Sequence, residues 1–213
     1  MLKKFGADLT TTQTSVTINP CSELFANDID VPSDISSAAF FMAAAILVPG
    51  SELILENVGI NPTRDGIIRV LKDMGANIEI INQTDSFEPV ADIKVTYSKL
   101  HATCIGGDII PTLIDELPLL AALASLADGT TVIKDAEELK VKESNRIRVM
   151  CEELSKLGVD VIETKDGMEI KGTDKLKGNV TIATHDDHRI AMTFAVLNLV
   201  SDLSLIHISE PTR

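Results

Sequence analysis

Hydrophobic positions in one charged stretch fall at helical spacing. Ile147, Met150, Cys151, Leu154 and Leu157 follow i, i+3, i+4, i+7, i+10, the signature of one buried helix face. Gly158 then supplies a stop. Four residues back from Ile147 and Met150 lie Glu143 and Arg146, and four further back Lys142, so the same face runs on into the charges of Lys140–Arg148. Two readings fit this helix start. Either its charges sit on the core side, where they need a partner or a ligand, or they form a capped, solvated end with Glu143 favourable on the helix dipole.

Three other segments are apolar on every side and are expected to be buried helices. They are Ala38–Leu47 after Asp34-Ile35-Ser36-Ser37, a helix opened by Asp115-Glu116-Leu117-Pro118 and ending near Ala127, and Ile190–Val200 after Asp186-Asp187-His188-Arg189. Each begins with an aspartate in cap position: Asp34, Asp115, and Asp186 or Asp187. Strands are expected at Glu52–Val58, Asn77–Ile81, Thr131–Lys134, Val159–Ile162, Met168–Lys171 and Val180–Ile182, with a second helix at Arg64–Met74. Asp85–Asp92, which contains Pro89, reads as a loop, and Asp166-Gly167 as a hairpin turn.

One phrase recurs: Leu2–Leu9 resembles Leu71–Ile78 and Leu154–Val161. Each reads as a helix end, a glycine cap (Gly6, Gly75, Gly158) and entry into a strand. The glycines are 69 and 83 residues apart. That period is long for a solenoid and fits a unit of two helices and several strands. The chain therefore starts in the tail of one unit and ends early in another, as a fragment would. Converging helix starts from related units would make an anion site.

At 213 residues with 45% hydrophobic side chains, a sizeable core is affordable. The net charge of −13, the lack of Trp and the single Tyr argue against nucleic acid and anionic membranes. They leave room for a small anionic ligand at a locally basic site. Cys21, Cys104 and Cys151 are scattered, without metal spacing, which fits a reducing compartment. No signal-peptide pattern opens the chain, and no apolar run is long enough to span a bilayer, so a cytoplasmic protein is expected. Gly106-Gly107 is a turn rather than a phosphate loop. Cys151 is core, and His101, His185 and His207 read as structural.

The charged candidates gather from three helix starts: Asp115 at one, Lys142, Glu143 and Arg146 at a second, Asp187, His188 and Arg189 at a third. Arginines suit carboxylates and phosphates, lysine adds a point charge, and two carboxylates among cations could serve as acid and base. Lys142-Glu143-Ser144-Asn145-Arg146-Ile147 and Asp187-His188-Arg189-Ile190-Ala191-Met192 resemble the signature stretches of the 5-enolpyruvylshikimate-3-phosphate synthase family. Ile114–Pro118, Asn61–Arg64 and Asp34–Ala39 match it too, in collinear order over residues 1 to 202.

The resemblance implies an α+β, enolpyruvyl transferase-like fold. Its βαβαββ units repeat around buried helices as an inside-out α/β barrel, truncated here. Residues 1–22 would be the tail of the preceding domain's last repeat. Residues 23–202 would be the C-terminal domain, with two full repeats and part of a third, and 203–213 a non-matching tail. The implied reaction moves the enolpyruvyl group of phosphoenolpyruvate to the 5-hydroxyl of 3-phosphoshikimate and releases phosphate. This is a step of the shikimate pathway to aromatic amino acids, and it needs no cofactor or metal.

By position, Asp115 would take the hydroxyl proton and Glu143 would handle the methylene proton. Arg146 and Arg189 would hold phosphoenolpyruvate, Lys142 with Asp115 would contact 3-phosphoshikimate, and Asp187 and His188 would stand behind them. Glu138, where some members carry Asn, receives no role. The partners implied are the two anionic substrates and the missing N-terminal domain of a parent that works as a monomer. The chain alone is expected to be inactive. A UDP-N-acetylglucosamine enolpyruvyl transferase is the alternative, disfavoured by the paired motifs. A non-catalytic domain of the same fold is another, and it would predict decay of the charged cluster.

Overall fold

In this computed structural model, which describes residues 2–85, 88–201 and 203–205, the repeat read from the glycines is an architectural unit. A hairpin of β1 (Leu9–Thr11) and β2 (Val16–Ile18) comes first. The first unit is α1 (Ile35–Leu47), β3 (Glu52–Gly59), α2 (Gly66–Asp73), β4 (Asn77–Asp85) and β5 (Pro89–Thr96). The second is β6 (Cys104–Ile105), α3 (Leu117–Ala124), β7 (Thr130–Ile133), α4 (Arg146–Lys156), β8 (Asp160–Glu163) and β9 (Met168–Lys171). The third opens with β10 (Val180–Ile182), α5 (His188–Leu197) and β11 (Leu203–Leu205). β11 lies in the stretch past Asp202 and pairs with β10 in parallel, Val180 opposite Leu203.

The units share one sheet plan. In the second, β6 and β7 are parallel and joined across α3, while β9 and β8 extend the sheet antiparallel in the order β6-β7-β9-β8. In the first, β3-β5-β4 is antiparallel, and the leading parallel strand survives as a single bridge between Ser33 and Val58. Parallel neighbours need a crossover, and the buried helices α1, α3 and α5 supply it. Pro89–Asp92, expected as loop, belongs instead to β5, the central strand of the first sheet. Pro89 is tolerated because it is the strand's first residue.

The glycine caps are as the repeat requires. Gly75 and Gly158 have φ of +90° and +83°, the left-handed region that glycine enters without steric penalty. Both sites close with the same pair of bonds. The glycine N–H donates three residues back, to Lys72 or Ser155, and the next N–H five back, to Leu71 or Leu154.

Helices α1, α3 and α5 pack on one another. Every residue of α3 is buried. Its four leucines each contribute roughly 1.5–3 kcal/mol of burial. The flanking helices are not enclosed on all sides as expected: Phe41 of α1 is 60% exposed and Met192 of α5 is 40% exposed. Among the described residues α3 alone is also packed by α4, β7 and β9. At or just past their last turns, Leu47, Leu126 and Leu199 line one cleft, while their first turns meet at the charged cluster, so the three helices run in the same direction. Among the described residues no helix is long and apolar enough to cross a membrane.

Two helix starts differ from the expectation. α4 begins at Arg146, capped by the Asn145 side chain, which accepts from Arg148 N–H at 3.1 Å. Lys142 and Glu143 lie before it, after a 3-10 turn at Glu137–Val141, and so are not helical. Asn145 prevails because its short amide can satisfy a free helix N–H, as a mid-helix position cannot. Asp115 is not a cap either. It lies in a 3-10 turn, Ile114–Glu116, and Glu116 occupies the cap position of α3 without a side-chain capping bond. Asp34 and Asp187 do cap, accepting from Ser37 N–H and Arg189 N–H.

Candidate active site

Arg146 is the hub of the charged cluster, and its side chain is only 1% exposed. As first residue of α4 it turns inward with the stripe of Ile147, Met150 and Leu154. Its Nε donates to Asp187 Oδ2 at 2.8 Å, and Nη2 to Asp187 Oδ1 at 3.2 Å and to Glu143 Oε2 at 2.5 Å. Nη1 donates to Asp115 Oδ1 at 3.2 Å. Among the described residues these bonds engage four of its five N–H groups. Burial works against its charge, but the Asp187 bond and the charges of Asp187, Glu143 and Asp115 raise its pKa nonetheless. The core-side reading of the charged stretch therefore holds for Arg146.

Asp187 is fully buried. Burial pushes its carboxyl up, but Arg146, Ser144 Oγ at 2.9 Å and Arg189 N–H at 2.9 Å outweigh this and hold it below the usual range. It is reached through a turn in which His185 and Asp186 both have left-handed φ, +54° and +56°. Glu153, 1% exposed on α4, accepts from Ala183 N–H at 3.1 Å at the start of that turn and pairs with Lys156 at 2.7 Å. Helix α4 thus grips the approach to α5 at both of its ends.

The solvent-facing side of the cluster is looser. Asp115 faces three cations: Arg146, Lys142 Nζ at 3.8 Å and Arg189 Nη2 at 3.7 Å. The last two are beyond hydrogen-bonding distance, so Lys142 and Arg189 keep donor capacity for an incoming anion. Lys142 also pairs with Glu138 at 2.6 Å. Glu143 is half exposed. His188 is exposed at the first residue of α5. Asp115, Lys142, Glu143, Arg146, Asp187 and Arg189 therefore form one contiguous set, with His188 at its rim.

Sequence reasoning missed part of this neighbourhood. Arg64 Nη2 donates to Ser36 Oγ at 2.9 Å, and α1 packs on the turn Ile114–Glu116, so the first unit borders the cluster as well. Glu116, 3% exposed, lies 3.5 Å from Arg189 Nη1. Its place just before an all-apolar helix was the available signal for a buried carboxylate.

Comparison with family models matches EPSP synthase (3-phosphoshikimate 1-carboxyvinyltransferase) over residues 1–212. The chain belongs to the EPSP synthase family. Curated relatives agree. The 3-phosphoshikimate 1-carboxyvinyltransferase of Bacillus velezensis is 51% identical over 220 residues, all of this chain and 51% of the relative. That of Citrifermentans bemidjiense is 53% identical over 202 residues, 94% of this chain and 47% of the relative. A solved EPSP synthase from Acinetobacter baumannii overlays with a TM-score of 0.88 at 42% identity, over 95% of this chain and 47% of that one. The chain spans about half the length of these relatives and shares the inside-out α/β fold of the EPSP synthase structures. The family match continues past Asp202, where the motif resemblance was expected to end.

Proposed function

We propose that this chain carries the C-terminal share of an active site that transfers the enolpyruvyl group of phosphoenolpyruvate to the 5-hydroxyl of 3-phosphoshikimate. The observation that carries this reading is the meeting of Asp115, Glu143, Arg146 and Arg189 from three helix starts within ion-pair distance. In the proposed sequence a carboxylic acid protonates the methylene carbon of phosphoenolpyruvate while the 5-hydroxyl oxygen adds to its C2. The hydroxyl proton passes to a base. Loss of a methyl proton then restores the double bond as the C2–phosphate bond breaks and phosphate leaves.

Asp115 suits the base, because it faces the open side where Lys142 and Arg189 would draw in the anionic substrates. Glu143, half exposed and held by Arg146, suits the group that gives and retakes the methylene proton. Arg189 is the principal holder of phosphoenolpyruvate, since it retains free donors. Arg146 contributes at most its remaining Nη1 hydrogen and chiefly fixes Glu143 and Asp115 in place. Preorganised cations facing a departing phosphate are the largest catalytic effect such a site offers.

We assign residues 1–22 to the end of a preceding domain and the units from residue 23 onward to the C-terminal domain. The intact parent would act as a cytoplasmic monomer, and this chain alone would show no turnover. The experiment joins the chain behind the first half of the Bacillus velezensis relative and measures phosphate release with both substrates. Release is expected, with Asp115→Asn and Glu143→Gln each lowering it by roughly 10²–10⁴-fold. A folded chimera that binds both substrates and releases no phosphate would sink the reading.

A further inference from the structure

Glu116 takes no part in the chemistry above, yet it is a buried carboxylate wedged among charged groups. Its side chain is 3% exposed. It occupies the cap position of α3 but makes no capping bond, so helix capping does not account for it. Instead it turns to the other two buried helices. Arg189 Nη1 of α5 approaches its Oε1 at 3.5 Å, and α1, with Ser36 in its first turn, packs on the 3-10 turn that carries it. The Ser36 hydroxyl in turn accepts from Arg64 Nη2 at 2.9 Å. Two pairs, Arg64–Ser36 and Arg189–Glu116, therefore stand where the first turns of the three helices meet.

We propose that Glu116 is a positioning residue: its carboxylate tethers Arg189 to the start of α3, so that the guanidinium faces the gap beside Asp115. The inference rests on the reading of Arg189 as the anion-holding arginine. Arg189 has few other anchors. It touches the Asp115 carbonyl at 3.4 Å and stands 3.7 Å from the Asp115 carboxylate, both on the side where substrate would enter. Glu116 holds it from behind.

A purely structural residue here would be better neutral. Burial pushes the Glu116 carboxyl up and Asp115 adds to this, against the opposing pull of Ser36, Arg189 and Arg64. A glutamine of the same shape would avoid burying the charge. The retained carboxylate makes sense if an arginine has to be aimed.

Glu116→Gln separates the possibilities, because simple charge removal and lost positioning have opposite effects. Deleting a negative charge beside the site would tighten anion binding by itself, whereas a slackened Arg189 would weaken it. The first measurement is phosphoenolpyruvate affinity of the chimera described above, wild type against Glu116→Gln and Glu116→Ala. The second is the side-chain ¹⁵N–¹H signal of Arg189, which needs no ligand. Expected for Glu116→Gln are an unchanged or higher melting temperature, about 5–10-fold weaker binding, and faster hydrogen exchange at the Arg189 guanidinium. Glu116→Ala should weaken binding further. Equal or tighter binding in Glu116→Gln, or an Arg189 signal that does not change, overturns the proposal. If the wild-type chimera binds no phosphoenolpyruvate, the reading of Arg189 as holder fails, and the guanidinium signal still decides whether Glu116 positions it.

Discussion

Arg146 and Asp187 form a two-pronged ion pair inside the protein, at 2.8 and 3.2 Å, with neither side chain more than 1% exposed. The pair ties the first residue of α4 to the cap of α5. Buried pairs of this kind add little over a well-packed apolar pair, but removing one partner strands a charge. Arg146→Met should therefore cost about 3–5 kcal/mol. Arg146→Met with Asp187→Leu should recover much of that loss. Urea unfolding of the two variants checks this; a double variant no more stable than the single would show that the pair is a net stabiliser in its own right.

The same pair sets an acid limit. The Asp187 carboxyl is held below its ordinary 3.8, so the unfolded chain binds its proton more readily than the folded one. Its stabilising contribution is complete above about pH 4 and is lost as pH falls through the folded value. Unfolding free energy measured from pH 5 down to pH 2 should fall, and Asp187→Asn should flatten the part of that slope below pH 4. An identical slope in the variant would place the acid sensitivity elsewhere.

Glu153 is expected to govern the turn before Asp187. Glu153→Ala leaves the Ala183 N–H without its partner and removes the anchor of two left-handed residues. A loss of about 1–3 kcal/mol follows from an unsatisfied buried donor. Hydrogen exchange should quicken at Thr184–Arg189 while β7 and β9 keep their protection. Uniform loss of protection across the molecule would instead mean that Glu153 supports the core at large.

Thiol chemistry offers a simple check of the α4 stripe. Burial pushes the Cys151 thiol up to about 12, with Glu163 and Glu152 adding to the effect, while Cys21 and Cys104 are exposed. At pH 8 a thiol reagent should titrate two groups quickly in the folded chain and the third only on unfolding. Three equally fast thiols would contradict the buried face of α4.

Much of this was legible in the chain itself. The Ile147–Leu157 stripe, the glycine caps and the apolar helices follow from spacing and local backbone chemistry, which act within a few residues. The misread parts depend on neighbours distant in sequence. Pro89–Asp92 is strand because β3 and β4 flank it. Met192 is exposed because α5 lacks the covering that α4, β7 and β9 give α3. Asp115 looked like a cap because Asp before an apolar run usually is one; three cations from later segments draw it elsewhere. Glu153 was missed because a lone glutamate in a charged helix gives no sign of being enclosed, whereas Glu116 stood just before an all-apolar helix and could have been found.

The common direction of α1, α3 and α5 has a consequence of its own. Three aligned peptide dipoles leave the molecule electrically lopsided, with their positive poles crowded together at one end. Asp34 and Asp187 offset that crowding only in part, so any oxyanion arriving there also relieves strain in the bundle. Heat resistance should therefore rise with plain inorganic phosphate, which makes the melting curve a gauge of occupancy.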